Sequence, residues 1–116
     1  MLSPIMTKTK KLKIVKLGSN SVDYVGNWTY SELTINKTVT INIADYISNY
    51  NSLDLTNDNF IIGLNSIYSS YGDSIAKVNS VTHSYSNGIL TININYSYLY
   101  GGKYTFNFSA YCAYVE

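Results

Sequence analysis

The stretch VTHSYSNGILTINI, residues 81–94, decides the fold class of this chain. Its centre, Asn87-Gly88, favours a type I′ turn, because both central residues of that turn need positive φ. A two-residue loop then pairs Tyr85 with Leu90 and extends one register in both directions. This register gathers six side chains on one face: Val81, His83, Tyr85, Leu90, Ile92 and Ile94. Turn chemistry and apolar alternation agree, and together they predict an antiparallel β-hairpin.

The segment after this hairpin continues the alternation. Treating Gly101-Gly102-Lys103 as a three-residue loop pairs Tyr98 with Phe106, which predicts a three-stranded antiparallel meander over residues 78–115. The predicted inner face of the meander is Val81, His83, Tyr85, Leu90, Ile92, Ile94, Tyr96, Tyr98, Phe106, Phe108 and Ala110. Alternation fails near the end of the chain, since Tyr111, Ala113 and Val115 are as apolar as their neighbours. That strand is therefore buried on both faces, or its outer face meets another chain.

Upstream, residues 33–43 alternate in the same way. A loop at Asn36-Lys37-Thr38 keeps one apolar face and is preferred to a single long strand with Lys37 pointing inward. The segment Ala44–Leu55 is rich in turn formers and predicts a helical turn or an irregular crossing.

The sequence predicts two further strands. The run at residues 60–64 predicts a central strand, and residues 12–17 predict the first strand. Seven or eight short strands indicate an all-β chain, a single antiparallel β-sandwich, Ig-like or jelly-roll-like, over residues 12–116. A flexible basic arm, residues 1–11, precedes it.

Neutral polar residues dominate the composition. Asn, Ser, Thr and Tyr make up 52 of 116 residues, whereas charged residues are only 13% and Arg is absent. Five of the eight Lys lie in the first 16 residues, and the remainder of the chain has three Lys against seven acids. Such a surface suits contacts with protein or sugar and predicts no nucleic acid as the main partner. No apolar run approaches the length of a membrane span, which predicts no membrane partner.

Catalytic and ligand-binding constellations do not assemble in this sequence. The single His83 falls on the apolar face of the hairpin and is interpreted as a packed or edge residue. Cys112 alternates with inward positions and is interpreted as a small buried hydrophobe. The acids fall mostly in predicted turns, and no Gly-x-Ser-x-Gly elbow or phosphate-binding glycine loop occurs. The sequence therefore predicts no enzyme, no catalytic or metal site and no cofactor.

Predicted interface residues come from two parts of the chain. Tyr is in excess and buries a large area while keeping a polar tip, as interfaces favour. The predicted interface combines the lysine-rich start with outer tyrosines and the unbroken apolar end: Lys8, Lys10, Lys11, Lys13, Tyr100, Tyr111, Ala113 and Val115.

Three stretches carry a resemblance to a known class of protein. They are Lys16-Leu17-Gly18, the run TNDNFIIG at residues 56–63, and YTFNFSAY at residues 104–111 after an Asn-Gly hairpin. Their texture resembles small β-rich virion proteins of tailed phages, which serve as capsid decorations, head fibres or tail components. The resemblance implies a homo-oligomer, with a trimer favoured, that contacts other virion proteins and resides in the virion after synthesis in the host cytoplasm. It assigns no site residue.

Two other functions fit the same sequence. Aromatic side chains and neutral hydrogen-bonding groups also suit a carbohydrate- or receptor-binding module that contacts a surface glycan. A small inhibitor of a host enzyme or defence complex needs neither motif nor active site, and so it stays open as well.

Overall fold

A computed structural model describes residues 10–26, 28–69, 75–100 and 102–116. These residues contain six strands: β1 Leu12–Gly26, β2 Leu33–Asn42, β3 Phe60–Ser69, β4 Ile75–Ser86, β5 Ile89–Leu99 and β6 Gly102–Val115. They form two antiparallel three-stranded sheets with the strand orders β1-β6-β3 and β2-β5-β4. The sheets pack face to face, and the predicted all-β sandwich is confirmed. The described strands are fewer and longer than the seven or eight short ones expected.

The hairpin at residues 81–94 has the predicted register. Tyr85 lies opposite Leu90 and His83 opposite Ile92. Asn87 and Gly88 have φ of 49° and 83°, as the type I′ turn requires. An added Cβ on Gly88 would lie 2.7 Å from Tyr50 Cε2, so the glycine also makes room for a neighbouring side chain.

The predicted meander over residues 78–115 is wrong, because β5 and β6 belong to different sheets. The chain crosses between the sheets after Leu99, where Tyr100 adopts φ of 77°. Across the core, Tyr96 and Phe106 have ring centroids 4.5 Å apart. The predicted inward positions of β5 and β6 are confirmed, since these side chains are all buried: Tyr96, Tyr98, Tyr104, Phe106 and Phe108. Alternation of apolar and polar residues shows which side chains of a strand face the core. The pattern is the same whether two strands are hydrogen-bonded in one sheet or lie in two sheets that face each other across the core.

The expected hairpin at Asn36-Lys37-Thr38 is also wrong. Strand β2 is continuous and pairs with β5 from Leu33 opposite Tyr98 to Asn42 opposite Ile89. Lys37 lies on the inward side of this strand, opposite Ile94, and is half-buried. An edge strand tolerates this position because a lysine stem packs on apolar surface while its ammonium reaches solvent around the edge.

The run at residues 60–64 forms an edge strand rather than the predicted central one. Strand β3 pairs only with β6 in the described sheet, and its Ile61 is 59% exposed. The central position belongs to β6, whose end is apolar on both faces. The run at residues 60–64 and the end of β6 are both apolar at successive positions, so continuous apolarity did not distinguish the edge strand from the central one.

The two ends of the sandwich differ in their connections. The hairpin end holds the Asn87–Gly88 turn and three short 3₁₀ turns between β2 and β3, in line with the expected irregular crossing: Ile43–Asp45, Tyr50–Ser52 and Asn57–Asn59. Ile43 N–H donates to the Gly88 carbonyl at 2.8 Å, which ties this crossing to the hairpin. The crossover end holds the links from β1 to β2 and from β5 to β6.

Candidate assembly face

The outer face of the β1-β6-β3 sheet carries a cluster of apolar side chains at the hairpin end. Registry places Leu12 beside Val115, Ile14 beside Ala113, and Ile61 beside Tyr111. Four of these residues are strongly exposed: Leu12 66%, Ile14 64%, Ile61 59% and Val115 55%. We call these six residues the apolar face: Leu12, Ile14, Ile61, Tyr111, Ala113 and Val115.

Local sequence explains why both sides of this part of the sheet are apolar. In β1, Val15 and Leu17 point inward, and Leu17 is fully buried. The alternate positions Leu12 and Ile14 must then point outward, because successive strand side chains alternate between faces. Strand β6 repeats the pattern, with Cys112 and Tyr114 buried inside. The sheet therefore has one core face and a second apolar face that nothing in the described chain covers.

The apolar face has a sharp boundary. Towards the crossover end the same outer surface turns polar, and Asn107 Nδ2 donates to Ser66 Oγ at 2.9 Å. Along β3, the next outward position after Ile61 is Gly63, which has no side chain. A Cβ built there would have no neighbour within 4 Å. The apolar face is thus a patch confined to the part of the sheet nearest the hairpin end.

The outer face of the other sheet, β2-β5-β4, provides an internal comparison. Its outward positions are mainly hydroxyl and amide side chains that join neighbouring strands. These bonds include Thr34 Oγ1 with Ser97 Oγ at 3.0 Å, Asn95 Nδ2 to Asn36 Oδ1 at 2.7 Å, and Thr38 Oγ1 to Asn93 Oδ1 at 2.8 Å. This is the composition of a sheet face in contact with water. The two outer faces of one sandwich therefore differ, and only the first has the composition of a covered surface.

Lysines border the apolar face on two sides. Lys10 and Lys11 are exposed at the hairpin end, and Lys16 is exposed opposite Tyr111, on the side towards the crossover end. Lys13 Nζ lies 2.8 Å from Glu116 Oε1, and the hydrogen bond to this carboxylate raises the pKa of the Lys13 ammonium. The Lys11 amide donates to the Glu116 carbonyl at 3.0 Å, which brings the start of β1 against the end of β6.

The structure groups most of the sequence-predicted interface residues and separates one. Tyr111, Ala113 and Val115 lie on the apolar face, and Lys10, Lys11 and Lys13 lie at the same end. Tyr100 lies at the crossover end, at the other end of the sandwich. Lys8 is outside the described residues.

Sequence reasoning missed the aliphatic side chains of the apolar face. Leu12, Ile14 and Ile61 were assigned to strands without being assigned to a face. The signal was present: in Leu12-Lys13-Ile14-Val15-Lys16-Leu17, apolar residues occur at both odd and even positions. Only one of these two sets can face the core.

In the described chain, the thiol of Cys112 is buried in the core and the imidazole of His83 is bonded to the backbone. Cys112 is fully buried, and burial raises the pKa of its thiol to about 11. His83 is half-buried, and its Nε2 lies 3.0 Å from the Asn57 carbonyl oxygen, which ties β4 to the 3₁₀ turn before β3. No three His, Cys, Asp or Glu side chains come close enough to hold a metal ion in the described ranges.

Membrane-spanning helices are also absent from the described parts of the chain: none of them forms a helix long and apolar enough to cross a bilayer. Comparison with known proteins returns no matching family model, no matching curated protein and no matching solved structure.

Proposed function

We propose that this protein is a structural subunit of a tailed-phage virion, and that it assembles by packing its apolar face against a second copy of the same chain. The observation that supports assembly is that Leu12, Ile14, Ile61 and Val115 are 55–66% exposed on one face of a single sheet. Surfaces of this kind are uncommon on isolated domains and mark contact sites. The role is structural and not enzymatic.

The energetics favour a partner for this face. Fully burying one large aliphatic side chain stabilises by about 1.5–3 kcal/mol. Since more than half of each of the four side chains is still exposed, covering all four contributes roughly 4–7 kcal/mol per subunit. A contact that buries the faces of two copies doubles this figure, to roughly 8–14 kcal/mol. That is comparable with the ~4–15 kcal/mol that association costs in lost freedom.

Charge distribution favours a second copy as the occupant. The lysines at positions 8, 10 and 11 directly precede Leu12, where the apolar face begins. The chain beyond residue 16 has three Lys and seven acidic residues, so its net charge is 3 − 7 = −4. Lysines that directly precede the contact in sequence can therefore attract the mildly acidic body of a neighbouring copy and favour encounter between them.

The virion part of the proposal is supported by the resemblance of three sequence stretches to small phage structural proteins. Quantitative mass spectrometry of phage particles, purified from a culture that produces this protein, tests it. The expected result is a fixed copy number per particle, equal to a multiple of a cyclic symmetry. Abundance in the infected cell together with absence from the particles would instead favour the inhibitor function.

A further inference from the structure

An aromatic cluster lies at the crossover end, far from the apolar face along the strands. Trp28, the only tryptophan, is 60% exposed, and Tyr30 is 82% exposed. Trp28 stacks on Tyr100 with ring centroids 5.4 Å apart and meets Tyr30 edge-on at 5.9 Å. We call Trp28, Tyr30 and Tyr100 the aromatic tip. Tyr100 is half-buried, but Trp28 and Tyr30 are left largely in solvent and do not belong to the buried core.

The tip is held in one arrangement by contacts between two different connections. Tyr100 N–H donates to the Thr29 carbonyl at 3.0 Å, which links the β5–β6 crossing to the β1–β2 crossing. Tyr100 has φ of 77°, a conformation that is unfavourable for a bulky side chain and persists where surrounding contacts impose it. Thr29 Oγ1 accepts from the Ser31 amide at 3.1 Å and fixes the next turn. The rings are therefore preorganised before any ligand arrives.

A shallow cleft of about 140 Å³ lies at the same end. One acid, one base and three further residues line it, and most of its exposed lining is apolar: Glu32, Lys77, Ser97, Tyr98 and Leu99. Glu32 follows Tyr30 by two residues and Leu99 precedes Tyr100, so two of the residues that line the cleft lead directly into the tip along the chain. Its volume is below the ~300–1,000 Å³ of a site for a drug-sized ligand, which suits a single ring unit of a longer molecule.

The geometry points to a saccharide-binding site formed by the aromatic tip and this cleft. The C–H bonds on one face of a pyranose ring carry weak positive charge and pack on the negative face of an aromatic ring. The hydroxyl groups at the edge of the same ring need donors and acceptors, and the exposed Lys77 ammonium and Glu32 carboxylate supply both kinds. An exposed indole and a small cleft that carries this charged pair meet both requirements at one end of the sandwich.

Two other ligand classes fit these residues less well. Insertion into a lipid bilayer would bury the Glu32 carboxylate, which lies in the same loop as Tyr30 and is costly to remove from water. Nucleobases also stack on aromatic rings, but such sites add a cationic groove along the phosphates. Here Lys77 shares the cleft with Glu32, and the chain has no Arg.

The test uses the full chain and an array of bacterial and animal glycans, followed by titration with the soluble oligosaccharide that binds best. Trp28 is the only tryptophan, so its fluorescence reports directly on a sugar ring stacked against it. We expect saturable binding with a change in Trp28 emission. Trp28→Ala and Tyr30→Ala should each raise the dissociation constant about tenfold or more. Tyr46→Ala is the matched control, because Tyr46 is also exposed, at 43%, but lies at the hairpin end, and it should leave binding unchanged.

Three results would overturn the inference. They are a silent array with folded protein, sugar binding that Trp28→Ala and Tyr30→Ala leave intact, and binding to phosphatidylglycerol vesicles or a single-stranded oligonucleotide in place of glycans. Tyr30 is so exposed that its truncation cannot unfold the domain, so loss of binding in that variant reports on the site. The tip and the apolar face lie at different ends, and failure at one leaves the assembly proposal at the other standing.

Discussion

Replacing Ile61 by Thr removes apolar surface from the β3 side of the apolar face and keeps the β-branched shape that suits a strand. The change deletes two carbons, worth about 0.8 kcal/mol each when fully buried. Because 59% of Ile61 is still exposed, association can recover roughly 1 kcal/mol of this per copy. A contact that buries Ile61 from both copies then loses about 2 kcal/mol, which raises its dissociation constant about 30-fold. A buried hydroxyl without a partner would add to this loss.

Sedimentation equilibrium over a range of protein concentrations measures this effect. Ile89→Thr is the matched control, since Ile89 is 41% exposed on the opposite sheet and the substitution is the same. We expect Ile61→Thr to shift self-association about 30-fold and Ile89→Thr to leave it unchanged. Both variants should unfold within about 0.5 kcal/mol of the original chain, because the side chains are on the surface. Equal effects of the two substitutions, or none from Ile61→Thr, would refute the assignment of the contact to the apolar face.

Three further predictions concern the fold itself. Gly88→Ala should lower the free energy of unfolding by about 1–3 kcal/mol, since φ is 83° and the new Cβ would lie 2.7 Å from Tyr50. Gly63→Ala is the control, because a Cβ there would lie in open space, and chemical denaturation of both variants measures the difference. Lys37→Val should leave the domain folded but increase light scattering with time, because an inward lysine on edge strand β2 opposes strand addition; unchanged scattering would remove that role. At pH 8 Cys112 should resist a thiol reagent in the folded protein, because a pKa of about 11 keeps the thiol protonated, and should react at once in denaturant. Rapid labelling of the folded protein at that pH would contradict its burial.

The hairpin was predictable because two independent local signals coincide there. Asn87-Gly88 specifies the turn, and the alternation on either side specifies the register. Both signals act over a few residues, so neither depends on the remainder of the chain. The buried positions of β5 and β6 were predictable for the same reason, since alternation alone determines them.

Sheet membership was not predictable from these signals. Tyr98 and Phe106 could pair within a sheet or face each other across the core, and their inward side is the same in both cases. The choice is made at Tyr100, a bulky residue with positive φ, where sequence favours no such conformation. The loop predicted at Asn36-Lys37-Thr38 was wrong for a similar reason. A charged residue at an inward position suggests a turn unless the strand is known to lie at the edge of a sheet.

The candidate face was found in part. Tyr111, Ala113 and Val115 stood out because alternation fails at the end of β6. Of the aromatic tip, Tyr100 was among the predicted interface residues, whereas Trp28 and Tyr30 were not. The exposure of Trp28 depends on how two crossings meet, and no local pattern carries that information.

The native mass of the protein at micromolar concentration, measured at low and at high salt, tests the central claim most directly. A contact through the apolar face is not screened by salt, so the same oligomer should persist in both conditions. An oligomer that dissociates at high salt would assign the contact to the lysines instead. A monomer in both conditions would contradict self-association through the apolar face.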